Sequence, residues 1–178
     1  MAGMSKYLDV VDENNEVIGR ETREKIHHSG LWHRGVHILI LNSKGQLTLQ
    51  IRSPSKDRFP DHYDCSVSEH LEEGEKYEAA AIRGLREELK ITGIGLKRLL
   101  GFRMNYGPND NMISELYECH YDGTTQIDKH ETQSLETFSL GKIEEILSEN
   151  KGKFAPWTRE ILKWYLRLPS RVEVLSTS

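Results

Sequence analysis

The sequence predicts an α/β fold in which a mixed β-sheet lies between helices, and three observations support this prediction. Short apolar or alternating runs of strand length recur along the chain, separated by clusters of turn-forming residues. Longer segments with apolar residues at helical spacing lie among them and after them. The 178 residues are 37% hydrophobic and 29% charged, a composition that suits one globular domain. We therefore predict a single domain over residues 1–178, with a flexible tail at residues 169–178.

The predicted strands begin with a hairpin, because the turn-forming sequence D-E-N-N separates two short strand-like runs. Residues 36–42 are almost entirely apolar, which is typical of a central strand covered on both faces. In the next strand apolar and polar residues alternate, so Arg52 is predicted to point away from the packed side. The predicted strands are residues 7–11, 16–22, 36–42, 46–52, 63–67, 96–106, 112–121 and 135–140.

The predicted helices are marked by apolar residues that recur about every 3.6 residues. Ile82, Leu85 and Leu89 follow this period and predict a helix that packs on the sheet. The last helix begins with Pro156, which suits a first helical turn, and its aromatic stripe is expected to be core. The predicted helical segments are residues 23–28, 75–89, 142–150 and 156–168.

The composition argues against several classes of function. The net charge of −4 comes from interspersed charges of both signs, so no basic surface for duplex nucleic acid is predicted. No apolar stretch has the length of a membrane helix, and the first residues lack the apolar core of a signal peptide. Cys65 and Cys119 have no C-x-x-C spacing and are expected to be reduced thiols. We therefore predict a cytoplasmic protein that binds neither a nucleic-acid duplex nor a membrane.

The stretch of residues 69–91 concentrates the charged side chains that could perform chemistry. Glu87 and Glu88 lie near the end of the predicted helix, where the helix dipole already places partial negative charge. A divalent metal or arginine partners could offset them, and Arg83 is correctly spaced for a simple surface ion pair with Glu87. Glu115 is a third carboxylate, in the middle of a predicted strand. Three such oxygen donors suit Mg²⁺ or Mn²⁺ in a site that also binds substrate phosphates.

This stretch resembles the Nudix box, whose pattern is G-x5-E-x7-R-E-U-x-E-E-x-G-U, with U an aliphatic residue. The matching positions are Glu75, Arg83, Leu85, Glu87, Glu88 and Ile91. The segments V-D-E-N-N-E-V-I-G, H-R-G-V-H and L-Q-I-R-S-P-S-K are similar to the Nudix branch that contains the isopentenyl-diphosphate isomerases. The resemblance implies a Nudix-type α/β/α sandwich. It also implies a metal-dependent hydrolase that cleaves the diphosphate linkage of a nucleoside diphosphate derivative or a similar organic diphosphate.

The resemblance assigns metal-binding and catalytic roles. It implies that Glu87 and Glu88 bind Mg²⁺ or Mn²⁺, and that Glu115 completes the site. Glu88 and Glu115 are accordingly the predicted catalytic residues, with Glu115 as the leading candidate for the general base. His33 and His70 match metal-ligand positions of the isomerases, so they are candidates for an additional metal site.

The resemblance also assigns the residues around the substrate. Arg83 is expected to pair with Glu75 and to shape the loop before the helix. Arg52 and Lys56 match positions that meet the substrate diphosphate in the isomerase branch. The expected partner is a small-molecule diphosphate, and the oligomeric state stays open, with a homodimer as one option.

Three positions of the box differ from the family pattern. Glu69 and Lys90 replace its two glycines, and Gly84 replaces the first glutamate of its R-E pair. Because that glutamate helps to order metal or activate water in many members, a carboxylate outside the pattern is expected to replace it. Glu115 is the first candidate, followed by Glu69 and Glu72.

Two other functions compete with hydrolysis. In the isomerases a catalytic cysteine lies shortly before a histidine, but Ser68 occupies that position here. Cys65 is three residues away and would point to the opposite face of a strand. The second alternative is a non-catalytic module with a degenerate box that binds a diphosphate or a protein partner. Residues 53–62 and 107–111 are the loops expected to recognise the base or sugar of a substrate.

Overall fold

The computed structural model describes residues 6–178, and the predicted α/β fold is confirmed. Within this range ten strands form one mixed sheet. The prediction about the first residues of the chain falls largely on residues 1–5, which lie outside the described residues. The strands are β1 Tyr7–Val11, β2 Val17–Thr22, β3 His33–Leu41, β4 Gln46–Arg52, β5 Tyr63–Asp64, β6 Val67–His70, β7 Lys97–Asn105, β8 Asn111–His120, β9 Thr132–Ser139 and β10 Glu173–Thr177. The helices are α1 Arg23–Ser29, α2 Tyr77–Leu89, α3 Leu140–Ser148 and α4 Pro156–Tyr165. None of these described helices is long and apolar enough to cross a membrane.

Strand β3 is the centre of the sheet. Strand β8 runs parallel to its whole length, from the pair His33 and Met112 to the pair Leu41 and His120. On the other side of β3, β6 pairs antiparallel with its first half and β4 with its last residues. All of β3 except Arg34 is buried, as predicted for a central strand, because the sheet is covered on both faces.

Two hydrophobic cores cover the two faces of the sheet. Side chains alternate along β3, so Val36, Ile38 and Ile40 pack against α2, whereas Leu39 and Leu41 pack towards α3 and α4. The core on the side of α3 and α4 includes the predicted aromatic stripe of α4. This arrangement of helix, sheet and helix is the predicted sandwich.

Helix α2 crosses the sheet from β8 to β4. At its start the Tyr77 hydroxyl donates to the carbonyl of Ile113 in β8, at 3.0 Å. Near its end the Gln50 amide of β4 donates to the Glu88 carboxylate, at 3.2 Å. Leu85 and Leu89 are buried as predicted, but Ile82 is 50% exposed. Ala80 and Ala81 take its predicted place in the core, because the buried face of α2 is rotated towards them.

The end of α2 explains one departure from the box pattern. Lys90 adopts the left-handed conformation, with a φ of 59°, where the pattern has glycine. Its backbone N–H donates to the carbonyl of Leu85, which closes the helix with the capping geometry that glycine usually provides. The helix therefore ends at the expected residue, with a strained backbone conformation at Lys90.

The tail that was predicted to be flexible forms a strand instead. β10 pairs antiparallel with β7, which would otherwise present an edge of unpaired backbone groups. Arg103 of β7 donates two hydrogen bonds to Glu173, at 2.7 and 2.8 Å. The prediction failed because backbone pairing, which the composition of the tail does not reveal, supplies the order.

Candidate functional site

A pocket of about 420 Å³ opens beside β6, and Ser68, Glu69 and His70 of that strand line it. Its volume falls within the range of roughly 300–1,000 Å³ that is typical of small-molecule sites. Basic side chains from α1, β4 and the loop after β4 form one wall, which we call the cationic wall. Its members are Arg23, Arg52, Lys56 and Arg58.

Arg83 and Glu69 line the α2 side of the pocket. Arg83 contacts Glu69, Glu75 and Glu87, and we call these three residues together with Glu88, the next residue of α2, the carboxylate cluster. Arg83 donates to both oxygens of Glu75, at 2.9 and 3.0 Å, and to the backbone carbonyl of His70, at 2.8 Å. Its Nη1 lies 3.2 Å from Glu69 and 3.5 Å from Glu87. The predicted partners Arg83 and Glu75 therefore lie together, and Glu75 also accepts the backbone N–H of Glu72 in the loop.

Glu88 is the most deeply buried member of this cluster. Its side chain accepts one hydrogen bond, from Gln50, through Oε2. Its Oε1 is buried and has no hydrogen-bond partner among the described residues. Burial raises the pKa of Glu88 well above its usual range, and the nearby charges of Glu69 and Asp64 raise it further. An unpaired buried carboxylate oxygen is costly, and a cation beside it would remove that cost.

Three histidines meet on another side of the pocket, and we call His27, His33 and His70 the histidine cluster. Each offers a ring nitrogen, and these atoms lie within 4.8 Å of one another. The rings come from α1, β3 and β6, with centroids 5.0 to 5.5 Å apart. His27 and His33 each have a buried Nε2 without a hydrogen-bond partner among the described residues. This is a donor set that suits a metal bound by imidazoles.

The histidine cluster favours neutral rings. Burial lowers the pKa of His27 to about 4, with the charge of His33 as a second cause. Burial is also the largest cause of the lowered pKa of His33 and of His70. Neutral imidazole is the form that binds a metal. The sequence prediction included His33 and His70 but missed His27, because no motif with a fixed spacing connects α1 with the strands β3 and β6.

Comparison with known proteins agrees with this geometry. The family model of the NUDIX domain matches residues 31–165 of this chain. The chain belongs to the Nudix family. It is 36% identical over 150 residues to an uncharacterized Nudix hydrolase of Nostoc sp., covering 83% of this chain and 88% of that protein. It is 29% identical over 164 residues to an isopentenyl-diphosphate Delta-isomerase of Serratia proteamaculans, covering 90% and 91% of the two chains.

The fold is also that of solved structures. A crystal structure from Deinococcus radiodurans matches 89% of this chain and 98% of its own, with a TM-score of 0.76 and 25% sequence identity. A MutT protein from Methanosarcina mazei matches with a TM-score of 0.64 at 18% identity, which shows a shared fold. The family and these relatives support a Nudix-type hydrolase that acts on diphosphate compounds.

One predicted site residue of this Nudix protein lies elsewhere. Glu115 was expected beside Glu87 and Glu88, but its carboxylate pairs with Arg98 at 2.9 Å and accepts the hydroxyl hydrogen of Tyr117. It lies on β8, at the start of α2, whereas Glu88 is near the other end of the helix. The helical rise of about 1.5 Å per residue places those two ends about 16 Å apart. Glu115 thus contacts Arg98 and Tyr117 and has no contact with Glu87 or Glu88 among the described residues, although it lies across β3 from Glu69, since both residues pair with Val36.

Arg52 lies in the pocket wall and not on an outer surface as its strand alternation predicted. Its Nη1 is 2.7 Å from Asp64, and its guanidinium stacks on Trp157, with 5.2 Å from Cζ to the ring centroid. The alternation failed because α4 covers this end of β4. Lys56, the other predicted substrate contact, forms an ion pair with Glu131 at the pocket edge. Both predicted residues thus line one pocket, together with the carboxylate cluster's Glu69.

The two predicted recognition loops meet at an ion pair. Arg58 of the first loop lies 2.9 Å from the carboxylate of Asp110 in the second. A second N–H group of Arg58 is 2.9 Å from Nδ1 of His27, so the pair also contacts the histidine cluster. Sequence reasoning missed Arg58 and Asp110, because single charges in loops carry no periodic signal.

Ser68 and Cys65 agree with the argument against isomerase chemistry. Ser68 lines the pocket and donates to Asp64 at 2.8 Å. Cys65 is fully buried and its Sγ contacts the hydroxyl of Thr158 in α4. Burial raises the pKa of the Cys65 thiol, which disfavours a reactive thiolate.

Proposed function

We propose that this protein is a metal-dependent hydrolase that cleaves the diphosphate linkage of a nucleoside diphosphate derivative or a similar organic diphosphate. The observation that supports it best is the composition of the pocket, in which the cationic wall and Glu69 of the carboxylate cluster line the same cavity. Arginine and lysine suit the binding of phosphate oxygens. Carboxylates suit a divalent cation that bridges such oxygens. A neutral substrate would need neither.

The donor set of the carboxylate cluster fits Mg²⁺ or Mn²⁺. Glu88 offers a buried oxygen without a partner, and Glu87 is half exposed beside it on the same helical turn. These two residues would hold the ion. When bound, a divalent cation offsets phosphate charge and lowers the pKa of a bound water. Arg83 and Glu75 hold the loop in place, which keeps the cluster aligned with the pocket.

The cationic wall would bind and orient the diphosphate. Arg52 is fixed by Asp64 and Trp157, so its guanidinium enters the pocket with little freedom to lose on binding. Lys56 and Arg58 belong to the loop after β4, and Arg58 is tied to the second loop through Asp110. The base or sugar would contact these two loops.

A substrate panel tests this proposal. The full chain is incubated with nucleoside diphosphate sugars, dinucleoside polyphosphates, nucleoside triphosphates and simple organic diphosphates, each with Mg²⁺ and with Mn²⁺. We expect metal-dependent release of a nucleoside monophosphate or of phosphate from at least one compound, and none in the presence of a chelator. If no compound is hydrolysed while calorimetry still detects binding of a diphosphate, the protein is a binding module.

The histidine cluster favours isomerase-like chemistry as a second candidate. Two of its members match isomerase metal-ligand positions, and an isomerase is among the relatives. Ser68 in place of the catalytic cysteine, and the burial of Cys65, argue against it. Conversion of isopentenyl diphosphate without release of phosphate would make this the function. The cytoplasmic location, the small-molecule partner and the open oligomeric state, with a homodimer as one option, stay predictions.

A further inference from the structure

Gly84 of α2 faces β6 across a very short distance. A Cβ atom at this position would lie 2.8 Å from Cγ1 of Val67 and 3.1 Å from Cγ of Glu69. Its φ is not in the left-handed region, so the backbone does not require glycine here. Glycine costs about 1 kcal/mol of helix propensity relative to alanine. The requirement is therefore space, and the side chain of Glu69 takes up part of that space.

The carboxylate of Glu69 ends among the other carboxylates. Its Oε2 is 3.2 Å from Nη1 of Arg83, the same nitrogen that lies 3.5 Å from Glu87. Gly84, which faces the Glu69 side chain, lies one helical turn before Glu87 and Glu88 in α2. Glu69 thus enters from β6 and lies near both carboxylates of the box.

Pairing with Arg83 alone does not account for this arrangement. Glu75 already receives two hydrogen bonds from that guanidinium. Glu69, Glu75 and Glu87 then share Arg83, and the exposed Arg86 lies 3.5 Å from Glu87 as a second cation. The buried Oε1 of Glu88 still has no partner among the described residues. A bound cation beside this buried oxygen would supply the missing partner.

We propose that Glu69 supplies, from β6, the carboxylate that the Nudix box places at helix position 84, and that it binds the divalent cation together with Glu87 and Glu88. The two departures at positions 69 and 84 are then one exchange, in which glutamate and glycine have traded places. This inference rests on the proposed metal-dependent function. It assigns to Glu69 the role that the sequence prediction gave first to Glu115.

Calorimetry with Mg²⁺ on the full chain tests the inference, since Mg²⁺ prefers carboxylate oxygens to the imidazoles of the histidine cluster. We expect Glu69→Gln to weaken Mg²⁺ binding about tenfold or more, because ligand charge sets affinity in such sites. The matched control is Glu73→Gln in the loop that follows β6, an exposed carboxylate that pairs with Arg20 at 2.6 Å. The control should bind Mg²⁺ within about twofold of the wild type.

The exchange itself supplies the second test. Gly84→Glu alone should lower the thermal unfolding temperature in the presence of a chelator, because it crowds Glu69 and Val67. Glu69→Gly combined with Gly84→Glu should regain most of the Mg²⁺ affinity lost in Glu69→Gln. Its stability should recover only in part, because the contact with Val67 remains.

Specific results would overturn the inference. It fails if Glu69→Gln binds Mg²⁺ as the wild type does, if the wild type binds no Mg²⁺, or if the folded exchange variant binds no more tightly than Glu69→Gln. Should Gly84→Glu not fold, the comparison of Glu69→Gln with Glu73→Gln decides. Mg²⁺ binding that depends on Glu69 without turnover of any diphosphate would support the inference and refute the hydrolase. Turnover of a diphosphate by the wild type, together with unchanged Mg²⁺ affinity in Glu69→Gln, would support the hydrolase and refute the inference.

Discussion

The carboxylate cluster and the histidine cluster meet at one pocket, which Glu69, His27 and His70 line, but the two clusters differ in the chemistry of their donor atoms. The first offers oxygen atoms, holds its own arginine, and has an excess of negative charge. The second offers uncharged nitrogen atoms from three separate elements. Hard cations such as Mg²⁺ prefer the former, and Zn²⁺ and similar ions suit the latter. We therefore predict that the two clusters differ in the metal that they bind.

Strand β6 connects the two clusters, since Glu69 belongs to one and the adjacent His70 to the other. Asp64 holds this strand through Ser68 and also receives Arg52 and the indole N–H of Trp157. A change at Asp64 should consequently disturb both clusters, whereas a change within one cluster should affect one metal only.

Asp64→Asn should have the largest effect. Burial opposes the ionisation of Asp64, but Arg52 and the hydrogen bonds from Trp157 and Ser68 outweigh it and lower its pKa. We expect the variant to lose about 3–5 kcal/mol of stability at neutral pH, because Arg52 loses its buried partner. A depressed pKa stabilises the fold above the unfolded value near pH 4, and this contribution is lost as the pH falls through the folded value.

Urea unfolding of Asp64→Asn at pH 7 and at successively lower pH measures this effect. The difference from the wild type should shrink below about pH 4. Asp61→Asn, at an exposed position of the preceding loop, is the control and should behave as the wild type. Equal stability of Asp64→Asn and the wild type at pH 7 would show that the Asp64 carboxylate does not stabilise the fold.

Glu88→Gln should affect metal binding at the carboxylate cluster alone. Burial disfavours the charged form of Glu88 and raises its pKa. The variant with a neutral amide should therefore be at least as stable as the wild type when no metal is bound. We expect hydrolysis to fall about a hundredfold or more, on the scale of losing one group that stabilises transition-state charge. Steady-state kinetics with Mg²⁺ measures it, and Zn²⁺ affinity should not change.

Glu78→Gln is the control for Glu88→Gln, because Glu78 is an exposed carboxylate at the other end of α2. If Glu88→Gln also abolished Zn²⁺ binding, the two clusters would not bind metals independently. Retention of full activity would remove Glu88 from the site.

His27→Gln should have the smallest effect of the three. Removing one of three imidazoles is expected to weaken Zn²⁺ binding about tenfold or more, measured by competition with a chromogenic chelator. Mg²⁺ affinity should stay within about twofold, because the carboxylate cluster is intact. His28→Gln, an exposed neighbour on α1, is the control. Unchanged Zn²⁺ affinity in His27→Gln would show that the histidine cluster is only a packing arrangement.

The sequence allowed most of the fold to be predicted, because the apolar run of β3 is nearly continuous and the apolar residues of α2 recur at helical spacing. The failures have specific physical causes. Arg52 lies under α4, which strand alternation cannot reveal. Ile82 is exposed because the period fixes spacing but not the rotation of a helix. The strand β10 depends on pairing with β7.

The site was predictable where its residues lie close together in the chain. Arg83 and Glu75 belong to one motif with fixed spacing, and the structure brings them together. His27 joins a cluster assembled from three elements, and Glu115 pairs with Arg98 of the neighbouring strand β7. The reason for Gly84 became visible only from the distance to β6.

Trp157 makes this pocket observable by optical spectroscopy. Its indole is almost fully buried, stacks on Arg52 and donates a hydrogen bond to Asp64 at 2.7 Å. Indole fluorescence responds to a nearby charge, and a diphosphate bound to Arg52 would change the charge at this ring. The other two tryptophans lie elsewhere: Trp32 directly precedes β3, and Trp164 is partly buried against the core on the α4 side. Emission from Trp157 should therefore report ligand binding in a titration, without a label and before any substrate has been identified.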